Sequence, residues 1–118
     1  MPRTVTGRGI GVSVNFAHES EAEFARYLDF YDIEWLYEPV CFPLVRGEDG
    51  SVIESFTPDF YLPQFQLYVE LTTMKQSLVT KKNRKMRLMR KLYPDIKVKI
   101  LYRRDYRKLL FKFGEFYE

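Results

Sequence analysis

Asp59 and Glu70 are the residues from which chemistry can first be read in this sequence of 118 residues. They belong to residues 56–73, FTPDFYLPQFQLYVELTT, where apolar and polar residues alternate on both sides of a break at Pro63, Gln64 and Phe65. Such alternation is the mark of two strands joined by a tight turn. With the turn centred between Gln64 and Phe65, Phe60 faces Val69, Leu62 faces Leu67 and Asp59 faces Glu70. The apolar residues then fall on one side of the hairpin and the carboxylates on the other. Directly opposed residues in an antiparallel pair have Cβ atoms only about 4.5–5.5 Å apart, and like charges there repel. A divalent cation between the two carboxylates relieves that repulsion, and a hard cation such as Mg²⁺ takes oxygen ligands.

The elements that must hold this pair are legible on either side of it. Residues 20–31 predict a helix: Ser20 with Glu23 three positions later forms a capping box, and Phe24, Tyr27, Leu28 and Tyr31 recur at helical spacing as a buried stripe. Glu19, Glu21 and Glu23 fall in its first turn, where the helix dipole favours negative charge. Residues 33–44, IEWLYEPVCFPL, read as one strand limited by Pro39 and Pro43. The GEDG turn at 47–50 lets residues 40–45 pair with 51–56. After the hairpin, residues 78–93 predict a helix with an apolar face of Met86, Leu88, Met89, Leu92 and Tyr93, ended by Pro94. Residues 96–102 read as a further strand and 104–112 as a last helix. The first 17 residues, with Gly7, Gly9 and Gly11, read as an N-terminal arm, and residues 18–118 as one domain. The expected fold is α/β, a central mixed sheet of about four strands flanked by helices in the order α-β-β-β-α-β-α.

Composition narrows the function. Hydrophobic residues at 46% and aromatics at 17% exclude a disordered chain, and no apolar run is long enough to span a membrane. The N-terminus has no signal-like apolar segment, and the single Cys41 forbids an intrachain disulfide, so the expected location is the cytoplasm. Cys41 itself reads as a small buried residue. The net charge of +3 conceals an asymmetry: residues 1–73 carry 4 Lys or Arg against 12 Asp or Glu, and residues 74–112 carry 15 against 2. Lys81, Lys82, Arg84, Lys85 and Arg87 fall on the second helix, which suits contact with a phosphate backbone. A polyanion is therefore the expected partner. His18 reads as exposed ahead of the first helix, and Trp35 as core.

Thr57-Pro58-Asp59-Phe60, followed after a turn by Val69-Glu70-Leu71-Thr72 within that order of elements, resembles the PD-(D/E)XK nuclease superfamily. Ser20-Glu21-Ala22-Glu23 is similar to the Ser-x-x-Glu that adds an acidic residue in that family, and Tyr37-Glu38-Pro39 resembles its phage and transposon-type members. The resemblance covers about residues 18–103 and implies a restriction-endonuclease-like fold and phosphodiester hydrolysis of nucleic acid, with DNA the expected partner ahead of RNA. It implies Mg²⁺ or Mn²⁺ held by Asp59 and Glu70, with Glu23 completing the site and the Leu71 carbonyl as a further ligand. One position departs from the pattern: where the family has Lys, two residues after the second acid, this chain has Thr72. A hydroxyl can hydrogen-bond the attacking water but brings no positive charge. Lys75, then Lys81 or Lys82, are the nearest cations in sequence that could take that role. A domain that binds nucleic acid without cleaving it, or a regulatory domain attached to a partner enzyme, stays open beside the nuclease, as does assembly as a homodimer.

Overall fold

The alternation through residues 60–72 folds into the expected hairpin, and the main sheet grows outward from it. The computed structural model describes residues 4–6, 13–72 and 76–102, so the expected last helix and Lys75 lie outside the described residues. In chain order the elements are β1 (Thr4–Thr6), β2 (Ser13–Asn15), α1 (Glu19–Phe30), β3 (Leu36–Tyr37), β4 (Phe42–Arg46), β5 (Val52–Phe56), β6 (Phe60–Leu62), β7 (Leu67–Thr72), α2 (Gln76–Leu92) and β8 (Lys97–Tyr102). The fold is α/β, with a mixed four-stranded sheet ordered β3-β6-β7-β8. β3, β6 and β7 pair antiparallel, and β8 pairs parallel to β7. A parallel neighbour requires a crossover, which α2 provides.

The hairpin register is the one the alternation predicts: Phe60 pairs with Val69, Tyr61 with Tyr68 and Leu62 with Leu67. One turn of 3-10 helix at Pro63–Phe65 closes it, and Gln66 takes the left-handed conformation with φ 50°. Period-two alternation then gives the sheet two distinct faces. On one, Phe60, Leu62, Val69, Leu71 and Leu101 pack with Ala22, Phe24, Ala25 and Leu28 of α1, together with Phe16, Ile33 and Trp35. The Phe60 ring is the hub of this core, with ring centroids of Phe24 at 5.2 Å and of Trp35 and Tyr37 at 5.6 Å. On the other face, Met86 and Met89 of α2 pack with Phe42, Leu44 and Phe56 over Tyr68, Val98 and Ile100.

Four differences from the expected layout have local causes. The strand expected over 33–44 is split, because Glu38 turns left-handed with φ 45° and Pro39 follows, so β3 stops after two residues. The chain then leaves the main sheet, and β4 and β5 form a separate two-stranded sheet around the expected turn, with Gly50 at φ 85° and Ser51 N–H donating to Asp49 Oδ1. Helix α1 begins one residue before Ser20: His18, exposed as expected, is the N-cap with no side-chain bond, and no capping box forms. Cys41 is exposed rather than buried, since Phe42 and Leu44 take the inward positions of β4.

At its far end α1 closes with a Schellman arrangement, Ile33 N–H donating to Leu28 O and Asp32 N–H to Asp29 O across an Asp32 held at φ 57°. Of the segment expected as an arm, β1 and β2 pair antiparallel and Phe16 is wholly buried. Among the described residues no helix is long and apolar enough to cross a membrane.

The aromatic hub sets a stability test. Replacing Phe60 by Ala should lower the unfolding free energy by about 3–5 kcal/mol in urea titration, whereas Phe30→Ala should move it by less than about 0.5 kcal/mol. Phe30 is 80% exposed. Similar small losses at both positions would refute the packing described.

Candidate active site

Asp59 and Glu70 meet on the α2 face of the sheet. Asp59 immediately precedes β6, opposite Glu70 by continuation of the hairpin register, and its own backbone N–H donates to Glu70 Oε1 at 3.2 Å. In the reverse direction Asp59 Oδ2 accepts from Leu71 N–H at 2.8 Å. The Asp59 carbonyl accepts from Glu38 N–H at 2.8 Å, so the left-handed turn that ends β3 also pins the backbone at Asp59. Each carboxylate is thereby fixed by the main chain of the opposing strand.

Both carboxyl groups titrate high. Burial, then the Glu70 charge, push Asp59 up to about 8, and burial raises Glu70 although Lys82 beside it pulls the other way. Two buried carboxylates in contact resist double ionisation, so the pair retains a proton or recruits a cation. The structure recruits an ammonium: Lys82 Nζ of α2 lies 3.1 Å from Glu70 Oε2 and donates to the Leu71 carbonyl. The Lys82 side chain is 17% exposed and that of Glu70 12%. Lys82 thus brings a cation to Glu70 and to the Leu71 carbonyl, on the strand that ends at Thr72. Thr72 itself is 2% exposed, on the same face as Glu70. Lys81 is exposed, and Lys75 lies outside the described residues.

An acid of α1 whose charge acts on Asp59 is Glu21. Glu21 is 5% exposed, its charge helps to raise Asp59, and its Oε1 accepts from Ala17 N–H at 3.2 Å and from the Tyr37 hydroxyl at 2.5 Å. Burial, then Glu21, push the Tyr37 phenol far upward, which keeps it a neutral donor. Glu23 stands two residues on, about 200° round the helix, and is half-buried. A sequence signal for Glu21 existed: it shares an i, i+3, i+4, i+7 row with Phe24, Ala25 and Leu28, an acid on the buried stripe.

Among the described residues no three His, Cys, Asp or Glu side chains gather closely enough to hold a metal, so the expected triad of Asp59, Glu70 and Glu23 does not assemble. The donor set that does form is two carboxylates and one backbone carbonyl, all hard oxygens. Mg²⁺ keeps several waters and is commonly held through one or two carboxylates, so this set fits it.

The expected basic track divides. Arg84 Nη1 pairs with Glu54 Oε1, and Lys85 Nζ donates to Ser55 O at 3.0 Å, so both tie α2 to β5. Lys82 belongs to the carboxylate pair, while Lys81 and Arg87 are exposed. Comparison of the chain with protein-family models, curated proteins and solved structures gives no match.

The raised carboxyls make stability pH-dependent. A folded-state pKa above the unfolded value contributes stability that is complete below about pH 4 and is lost as pH rises through the folded value. For Asp59 that window reaches about pH 8. In chelator-treated protein, Asp59→Asn should gain on the wild type by on the order of 4 kcal/mol between pH 5 and 9, read by urea titration at each pH. A difference that stays flat over this range would contradict a raised Asp59.

Proposed function

We propose that the chain is a divalent-metal-dependent phosphodiester hydrolase acting on nucleic acid, DNA ahead of RNA, with a restriction-endonuclease-like arrangement of its sheet and helices. The observation that carries this reading is the convergence of Asp59, Glu70, the Leu71 carbonyl and the Lys82 ammonium from three separate segments. Asp59, Glu70 and the Leu71 carbonyl would hold Mg²⁺ or Mn²⁺, which supplies charge neutralisation at the phosphate and acidifies water. Lys82 contributes what Thr72 lacks, a fixed positive charge that can hydrogen-bond the attacking water and offset charge developing on the phosphate. Leu71 N–H and Glu38 N–H hold Asp59 in orientation from side chain and backbone respectively. Glu21, fixed by Tyr37, adds negative charge that favours cation capture by Asp59.

A second reading follows from the same contacts. Lys82 already engages both Glu70 and the Leu71 carbonyl, which is also how an internal counter-ion would sit in a domain that binds nucleic acid without cleaving it. Metal binding separates the two.

The test uses labelled single-stranded, duplex and branched DNA and RNA with Mg²⁺ or Mn²⁺, then EDTA. Cleavage should require metal, fall below detection in Asp59→Asn and Glu70→Gln, and drop by about 10²–10⁴-fold in Lys82→Ala with metal binding retained. Absence of metal-dependent cleavage on every substrate, or cleavage indifferent to Asp59→Asn, overturns the proposal.

A further inference from the structure

Beyond the carboxylate pair, α2 and β8 enclose a groove of about 510 Å³. Its floor is Met86, Val98 and Ile100, and its rim carries Arg87, Arg90 and Lys99, with no acidic residue lining it. Ile100 is the register partner of Glu70, so the groove opens one strand away from the carboxylates on the face that α2 covers.

The cations on this rim differ from the rest of the basic helix. Lys82, Arg84 and Lys85 are each engaged by an acceptor of the protein, whereas Arg87, Arg90 and Lys99 are exposed and enter no ion pair with a described residue. Arg87 and Arg90, one helical turn apart on α2, with Lys99 lining the same groove from β8, bring positive charge with no carboxylate and gain when a polyanion approaches. A phosphate rim alone would suit any polyanion; the apolar floor makes the demand narrower. In duplex nucleic acid the flat faces of the bases are stacked inside, while an unpaired nucleotide can turn its base into a cleft. The volume falls within the roughly 300–1,000 Å³ of small-ligand sites, enough for one nucleotide. Val98 and Ile100, both half-buried, supply an aliphatic surface for it, and Met86, 4% exposed, closes the groove beneath.

We infer that this groove is a binding site for an unpaired nucleotide of a single-stranded nucleic acid, its phosphates held by Arg87, Arg90 and Lys99 and its base lying on Val98 and Ile100. The inference rests on the reading of the partner as nucleic acid, and it names the form of substrate: a single strand, or a single-stranded segment of a larger one.

The test is fluorescence anisotropy of full-length protein with a labelled thymidine dodecamer in EDTA, which stops cleavage. The triple variant Arg87→Ala, Arg90→Ala, Lys99→Ala should bind at least about tenfold more weakly, with the slope of log affinity against log salt smaller by roughly 2, given about 0.7 for each phosphate contact on a single strand. Arg26→Ala, at an exposed cation of α1, should change little. An abasic dodecamer and a duplex of equal length should both bind more weakly than the single strand. Equal binding of the abasic strand or the duplex, a loss in Arg26→Ala equal to that of the triple variant, or equal competition by poly-glutamate overturns the inference. Hydrolysis of bis(p-nitrophenyl) phosphate with Mn²⁺ reports on Asp59, Glu70 and Lys82 without using the groove, and the triple variant should retain it. Dodecamer binding as expected, with no such hydrolysis by the wild type, supports the groove and removes the catalytic reading alone.

Discussion

Two carboxylates opposed across a hairpin, with one ammonium set between a carboxylate and a carbonyl, form the constraint on which this structure turns. At about 4 Å, like charges near a protein surface repel by roughly 4 kcal/mol, and burial strengthens the effect. An unoffset Asp59–Glu70 pair would push the hairpin apart at the very position where its register is set. Lys82 answers this from a different layer, eleven residues after Leu71. Its position depends on the crossover: β8 must lie parallel to β7, α2 must return over the sheet, and Met86 and Met89 must seat the helix. Arg84 and Lys85 reinforce that seating by tying α2 to β5, although the half-exposed Arg84 pair contributes little by itself.

The division of the sheet into two faces separates stability from chemistry. The α1 face is closed by large aromatic and aliphatic groups, with Phe16, Phe24, Trp35 and Phe60 wholly buried. The α2 face is where the charged groups lie, together with a smaller apolar cluster in which Phe42 and Leu44 retain 7% exposure. Glu21 is the exception that joins the two, reaching from the start of α1 toward the open end of β6. It also turns back to accept from Ala17 N–H, one residue before the His18 N-cap.

Sequence was a good guide wherever the signal was short-range and periodic. The register of β6 and β7 followed from alternation, α2 and β8 from their own patterns, and Asp59 opposite Glu70 from the register. What escaped depended on residues far apart in the chain. A left-handed Glu38 is invisible to propensity, because its N–H is satisfied by the Asp59 carbonyl across the sheet. The choice of Lys82 over Lys81 is a matter of which helical flank faces the strands, and the apolar face marked by Met86 and Met89 already put Lys82, at i−4 from Met86, on the inner side. Glu23 is the acid that the Ser-x-x-Glu resemblance points to, whereas Glu21 is the acid that the helical stripe of α1 buries.

Trp35 sits in the aromatic cluster with its ring centroid 5.6 Å from those of Phe16 and Phe60, and its indole N–H donates to Asp29 Oδ1 at 2.8 Å. It is the one tryptophan of the chain. The protein thus carries a built-in optical probe, shielded from solvent and lodged against the strand that follows Asp59 but on the opposite face from the carboxylates. Its emission reports the integrity of the scaffold, while events among Asp59, Glu70 and Lys82 take place on the side it does not face. Changes at the charged centre that leave the fluorescence unaltered can be ascribed to that centre rather than to loss of the fold beneath it.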